Sequence, residues 1–295
     1  MKKILATTAL GLCGVLPLAV QAEGHYVAGV EGIQAASAPP PGMYYLGYLV
    51  NYSIDSFRAP GTSTNLPGHN TGTVTALANR FVWMTGQKLL GADYGVEAIV
   101  PLVRTSLTIN AAGISDSRTD VGDVYVGPLV LGWHGPQWDA VAAAGMWLDS
   151  GSTGHPASAG KGYKSTMLTG GMTYYFDGAK TISGSALMRY EFHGKTDSGF
   201  RHGDQATLEW GVAKVFGPVQ AGLVGYSQWQ TSKDSGLGAR ADKSSRHALG
   251  AEVVYPLPAS GLFLKGAYYK EFRAEAATGP APKGDLLRLT MVKAF

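Results

Sequence analysis

The sequence predicts an all-β protein: a transmembrane up-and-down antiparallel β-barrel of about 12 strands, preceded by a cleaved signal peptide. Three observations carry this. Apolar residues fall on every second position in one segment after another, the period of a strand with two unlike faces. Charged residues make up 15% of the chain, below the ~25% of soluble domains, and the 41 glycines are about twice the ordinary ~7% share. The connections alternate between long polar stretches and tight turns, as a meander across a membrane requires.

The elements follow in chain order. Residues 1–22 read as the signal: Lys2 and Lys3, then the apolar "ILATTALGLCGVLPLAV", then the small-residue pattern Val20-Gln21-Ala22. A membrane anchor is the rival, but Pro17 interrupts a stretch that is short of the ~20 apolar residues of a span. The one cysteine, Cys13, lies in this segment, so a disulfide scaffold is excluded; Leu12 before it argues against lipid modification. Once Lys2 and Lys3 are removed, bases and acids nearly balance, and no basic stripe points to nucleic acid.

Residues 23–41 form an N-terminal segment that ends in Pro39-Pro40-Pro41-Gly42, a poor substrate for a strand ladder. This segment is expected to act as a lumenal gate or plug, with residues 42–295 as the barrel. Strands are expected at 43–55, 72–84, 93–108, 121–133, 137–149, 163–176, 180–193, 204–216, 219–231, 245–256, 262–273 and 285–295. Several exceed the ~5–6 residues of an ordinary strand and suit tilted membrane staves of ~9–11. An unpaired backbone group is costly in lipid, so the first and last strands must pair. Phe295 then ends the closing stave at the membrane boundary and serves as the membrane-insertion signal.

Polarity assigns the faces. In strand 1, Tyr44, Leu46, Tyr48, Val50, Tyr52 and Ile54 form the greasy face, expected toward lipid, which puts Asp55 in the lumen. Strand 7 opposes Met188, Tyr190 and Phe192 to Arg189, Glu191 and His193. The lumen-lining candidates are Asp55, Glu97, Arg189, Glu191, Glu209, Glu252, Lys265, Glu271, Arg273 and Arg288. They form either a filled interior tied by charge pairs or a polar path for a solute. Trp83, Trp133, Trp138, Trp147 and Trp229 near strand ends read as an interface girdle, or in part as a ligand site. The seven histidines are scattered, with no metal-ligand spacing. Glu191 and His193 are the one acid–base pair on a common face, the basis of a barrel-hydrolase alternative.

"HYVAGVEGIQAASAPPPGMYYLGYLVNYSID" and "VGDVYVGPLVLGWHG" resemble the outer-membrane protein family of the meta-pathway of phenol degradation. Gly32, Ile33, Pro40, Pro41, Gly42 and Tyr44 match its start; Gly122, Asp123, Gly127, Pro128 and Trp133 match its later motif. Lys293 departs from the apolar residue usual two before the terminal aromatic. The resemblance implies an outer-membrane channel for passive uptake of small hydrophobic or aromatic compounds; from the residues, no enzyme activity, cofactor or metal is expected. The matched prolines and glycines would set the turn into strand 1 and a kink in strand 4. Expected partners are outer-membrane lipid and lipopolysaccharide, the barrel-assembly machinery and the solute. A structural or adhesive barrel with a packed lumen is the main alternative.

Overall fold

The computed structural model describes residues 24–295; the expected leader lies outside the described residues. Among the described residues thirteen strands form one closed sheet. In order they are β1 (Gly42–Arg58), β2 (Asn70–Leu89), β3 (Ala92–Ile109), β4 (Ile114–Val121), β5 (Tyr125–His134), β6 (Trp138–Trp147) and β7 (Ser165–Tyr175). Then come β8 (Ile182–His193), β9 (Gln205–Phe216), β10 (Val219–Gln230), β11 (Ser245–Leu257), β12 (Leu262–Glu275) and β13 (Ala281–Ala294). All pairings are antiparallel, and all but β3–β5 and the closing β1–β13 join neighbours in sequence. β1 and β13 seal the wall from Tyr44↔Ala294 to Arg58↔Ala281.

β4 and β5 both pair with β3, one after the other along its length, so together they make one stave of a twelve-stave barrel. Gly122–Val124 interrupts that stave, and the register slips again between Val126 and Leu129, across Gly127 and Pro128. A proline lacks the amide that continuous pairing needs. The stretch 114–120 is a correction to the sequence reading, which made it loop. Its Ser, Asp, Arg and Thr alternate as a strand that is polar on both faces, so the period was there without the greasy side.

Tight turns join β2–β3, β5–β6, β7–β8, β9–β10 and β11–β12 at one rim, and both ends of the barrel chain meet there: Phe295 N donates to Met43 O at 3.0 Å. The longer connections share the opposite rim. Phe81, Leu168, Val212, Leu223, Phe272 and Leu289 are exposed on the outer wall, the inverse of a soluble core and the mark of a surface solvated by lipid. Among the described residues no helix is long and apolar enough to cross a membrane; the crossing is made by strands.

Candidate functional site

The lumen contains the chain's own N-terminal segment. Residues 24–41 run inside the barrel from the tight-turn rim, where Gly42 opens β1, toward the long-connection rim. Gly24, His25, Tyr26, Ala28, Ile33 and Ala36 are buried there. The segment has no ladder of its own, so its amides need other acceptors. Strand carboxylates supply them. Ile33 N donates to Glu252 Oε2 (2.7 Å) and Glu31 N to Glu209 Oε2 (3.0 Å). His25 N and Tyr26 N donate to the two oxygens of Glu191, both at 3.2 Å. Arg288 Nη1 donates to Gly29 O at 2.9 Å, and Ala36 N to Ser185 Oγ at 3.3 Å.

Ion pairs complete the grip. Glu31 receives Arg189 at 2.7 Å and Arg80 at 3.0 Å; Arg80 also meets Glu97 at 2.6 Å. Arg288 meets Glu252 at 2.7 Å with both side chains fully buried, and Lys265 approaches the same carboxylate at 3.7 Å. A buried charge needs an opposite charge beside it, which this network provides. Gly32 has φ +70°, and a Cβ there would overlap Glu252 Oε2, so glycine is required by both conformation and space.

At the far end His25 stacks on Trp147 (centroids 5.6 Å apart), with Nδ1 3.0 Å from Ser165 Oγ and Nε2 3.3 Å from Asp123 Oδ2. Trp147 is buried in the lumen and is not part of a girdle, whereas Trp83 and Trp138 are exposed on the wall. Trp133 Nε1 donates to Leu90 O in the β2–β3 turn (3.1 Å), and Pro40 O accepts from Tyr44 Oη (2.8 Å). Gly122 and Gly127 lie against Pro101 and Glu97, at the stave's break and bulge. Pro128 O accepts from Tyr94 Oη (2.9 Å). Phe295 is 80% exposed at the tight-turn rim.

The strand candidates divide. Glu97, Arg189, Glu191, Glu209, Glu252, Lys265, Glu271 and Arg288 face inward, and Glu271 accepts from Tyr52 Oη (2.7 Å) and Tyr226 Oη (2.8 Å). Asp55 and Arg273 are corrections: both are exposed on the outer wall. Tyr48, Val50 and Ile54 are the buried face of β1, so the greasy side looks inward and Asp55 outward. In β12 a register shift opposite His247 and Ala248 turns Phe272 and Arg273 to the same side. Glu191 and His193 form no catalytic pair, since Glu191 spends both oxygens on backbone amides and neither ring nitrogen of His193 has a hydrogen-bond partner.

What the segment leaves unfilled is a cavity of about 230 Å³ along β1, β2 and β3. Its β1–β3 side is mostly aliphatic, with Val50, Ile54, Val74, Ala76, Ile99, Val103 and Leu107 beside Arg80, Glu97 and Thr105. Tyr26, Val30 and Glu31 of the segment form the opposite side. Sequence reading missed Glu31 and Arg80, which organise the centre, and His25 at the far end; Arg80 sits directly across from Leu46, and cross-strand partners share a face.

The family described as "Putative MetA-pathway of phenol degradation" matches residues 54–281. The chain belongs to this family. Among solved structures it is similar to an outer membrane channel from Pseudomonas putida F1, at 14% identity and TM-score 0.75, covering 88% of this chain and 98% of that one. It is also similar to the transport unit of the autotransporter AIDA-I from Escherichia coli, at 10% identity and TM-score 0.51, covering 87% and 91%. No curated protein matches. The family member described here thus has the fold of an outer-membrane barrel, with lipid around its wall and its own N-terminal segment inside.

Proposed function

We propose that the protein is a passive outer-membrane channel for small, mainly hydrophobic or aromatic molecules. One observation carries the reading: an aliphatic cavity runs beside a lumen that is otherwise closed by paired charges. Hydrophobic solutes cross a lipopolysaccharide leaflet poorly, and a barrel with one apolar inner wall offers them a route. The Pseudomonas protein, also a channel by its description, supports the same class of role. At about 230 Å³ the cavity is below the ~300–1,000 Å³ of sites for drug-sized ligands, which suits small solutes.

In this reading residues 1–22 direct export and are removed, and residues 23–41 plug the lumen. Lipopolysaccharide surrounds the outer leaflet, and Phe295 presents the closing strand to the assembly machinery. The protein acts without chemistry on its solute; the engagement of Glu191 by the segment argues against the hydrolase alternative. Liposome swelling with phenol-type and sugar solutes tests the channel. Swelling above protein-free vesicles is expected with the aromatic solutes first, and none with either class sinks the proposal in favour of a packed structural barrel. Deleting residues 24–36 should raise conductance severalfold; unchanged conductance would remove the plug role.

A further inference from the structure

The hydrogen-bonding groups that line the cavity are not all matched. Its tyrosine hydroxyls are engaged. Tyr26 Oη donates to Glu209, Tyr52 Oη and Tyr226 Oη donate to Glu271 at 2.7 and 2.8 Å, and Tyr48 Oη accepts from Arg80 at 3.3 Å. Two other donors that line it, Thr105 Oγ1 and Trp147 Nε1, have no hydrogen-bond partner among the described residues. Neither side chain reaches bulk solvent: Thr105 is 1% exposed and Trp147 6%.

Thr105 interrupts an apolar wall. On β3 it stands between Val103 and Leu107, and its partner on β2 is Val74. A valine there would have the same shape, suit a strand as well and bring no hydroxyl to satisfy. A buried hydroxyl left unpaired costs stability, so one without a partner in the fold calls for an explanation. Arg118, directly across from Thr105 on β4, repeats the pattern: its Nε is buried with no hydrogen-bond partner, and Asp116 is 3.9 Å away. Trp147 is fixed at the other end of the cavity by its rings, stacked on His25 and tilted against Tyr125, while its N–H goes unused. An indole or guanidinium N–H can only donate, and a threonine hydroxyl can donate. What these groups share is the want of an acceptor. An oxygen carried on an apolar solute supplies one. Such an oxygen gives up its water on entering an aliphatic cavity, a cost that a hydrocarbon does not bear. A donor on the wall offsets that cost where it arises.

We propose that Thr105 and Trp147 make the cavity selective for small apolar solutes that carry a hydrogen-bond-accepting oxygen, ketones and alcohols among them, over hydrocarbons of the same size. The proposal rests on the channel reading above and names the solute class within it. Trp147 Nε1 donates to the oxygen near the long-connection rim, and Thr105 Oγ1 donates to it within the aliphatic stretch. The rest of the solute packs against Val74, Val103 and Leu107. The charged groups of the cavity do not compete for this role, because Arg80 and Glu97 are already paired.

The test compares labelled acetophenone with labelled ethylbenzene, which have nearly the same shape and differ by one carbonyl oxygen. Initial uptake by intact cells is measured, the rate of cells lacking the protein is subtracted, and the remainder is divided by the amount of folded barrel in the outer membrane. Thr105→Val keeps the shape of the wall, and Trp147→Phe keeps a ring against His25 and Tyr125. Each should lower the acetophenone-to-ethylbenzene ratio about fivefold, as the loss of one hydrogen bond to the solute implies. Thr105→Ser, which retains the hydroxyl, should keep the wild-type ratio. Wild-type uptake of both solutes equal to that of cells lacking the protein overturns the channel reading itself. Protein-dependent uptake whose ratio is the same in the wild type, Thr105→Val and Trp147→Phe overturns the oxygen selectivity alone, and so does a fall in both solutes to the same extent.

Discussion

From β8 to β13 the lumen wall presents Glu191, Glu209, Glu252 and Arg288 to the backbone of the N-terminal segment, whereas from β1 to β3, beyond the Arg80–Glu97 pair that meets Glu31, it presents mainly Val50, Val74, Ala76 and Ile99 to open space. The two halves face different demands. Charged and hydrogen-bonding groups in a low-dielectric interior must be matched, so a charged wall fixes whatever lies against it. An aliphatic wall has no such requirement, and apolar cavities stay open without a partner. One half of the lumen thus holds the segment, and the other half is left as a path.

The largest effect should come from breaking the charged half. Arg288→Met leaves Glu252 buried with only the amide of Ile33 and the more distant Lys265. Removing one member of such a pair typically costs ~3–5 kcal/mol. Urea unfolding in lipid vesicles should show a loss of that order, and the double variant Arg288→Met/Glu252→Gln should recover part of it. An unchanged midpoint for the single variant would show that the network does not clamp the lumen.

Gly32→Ala acts next, on the segment rather than the wall. The added methyl meets the Glu252 carboxylate in a left-handed backbone conformation. We expect the segment to leave its seat and conductance to rise severalfold, with strand content unchanged by circular dichroism. Conductance equal to the wild type would mean that the contact with Glu252 adjusts at little cost.

Filling the apolar half should do the reverse. Ala76→Phe projects a ring into the cavity from β2, where space exists for it. Overpacking a full core costs ~1–3 kcal/mol; here the unfolding midpoint should hardly move, while uptake of aromatic solutes falls sharply. A large loss of stability together with normal uptake would show that the solute path lies elsewhere.

The same contrast explains what could be read from the sequence. β8 and β9 were legible because their faces differ: Arg189 and Glu191 against Met188 and Tyr190, Glu209 against Leu208 and Trp210. β1 was not, because both of its faces are apolar once half of the lumen is aliphatic, and alternation gives the period without the direction. The clue was Arg80, but its pairing with Leu46 is a tertiary fact. Arg273 was misplaced by a bulge that no residue type announces. The grip on the segment was invisible for another reason: its backbone amides do the binding, and any sequence carries those.

The smallest expected effect concerns the roof over the mouth. His202, in the connection between β8 and β9, packs on Tyr163 (centroids 5.5 Å apart) and Phe200 (4.9 Å), and burial holds its pKa down to about 4. Asp234 opposes that shift, and Lys161 and His25 add to it. An unfolded histidine titrates near ~6.5, so protonation favours the loosened state. The contribution of His202 to loop packing is therefore complete above ~6.5 and drains away as the pH falls toward 4. Hydrogen exchange of residues 148–164 and 194–204, corrected for intrinsic rates, should rise modestly between pH 7 and pH 4.5. His202→Phe keeps a ring in the same place without a titrating group, so its exchange should stay nearly flat over that range. If the variant loosens as much as the wild type, carboxylates such as Asp123, which order the same connection, set the pH response instead.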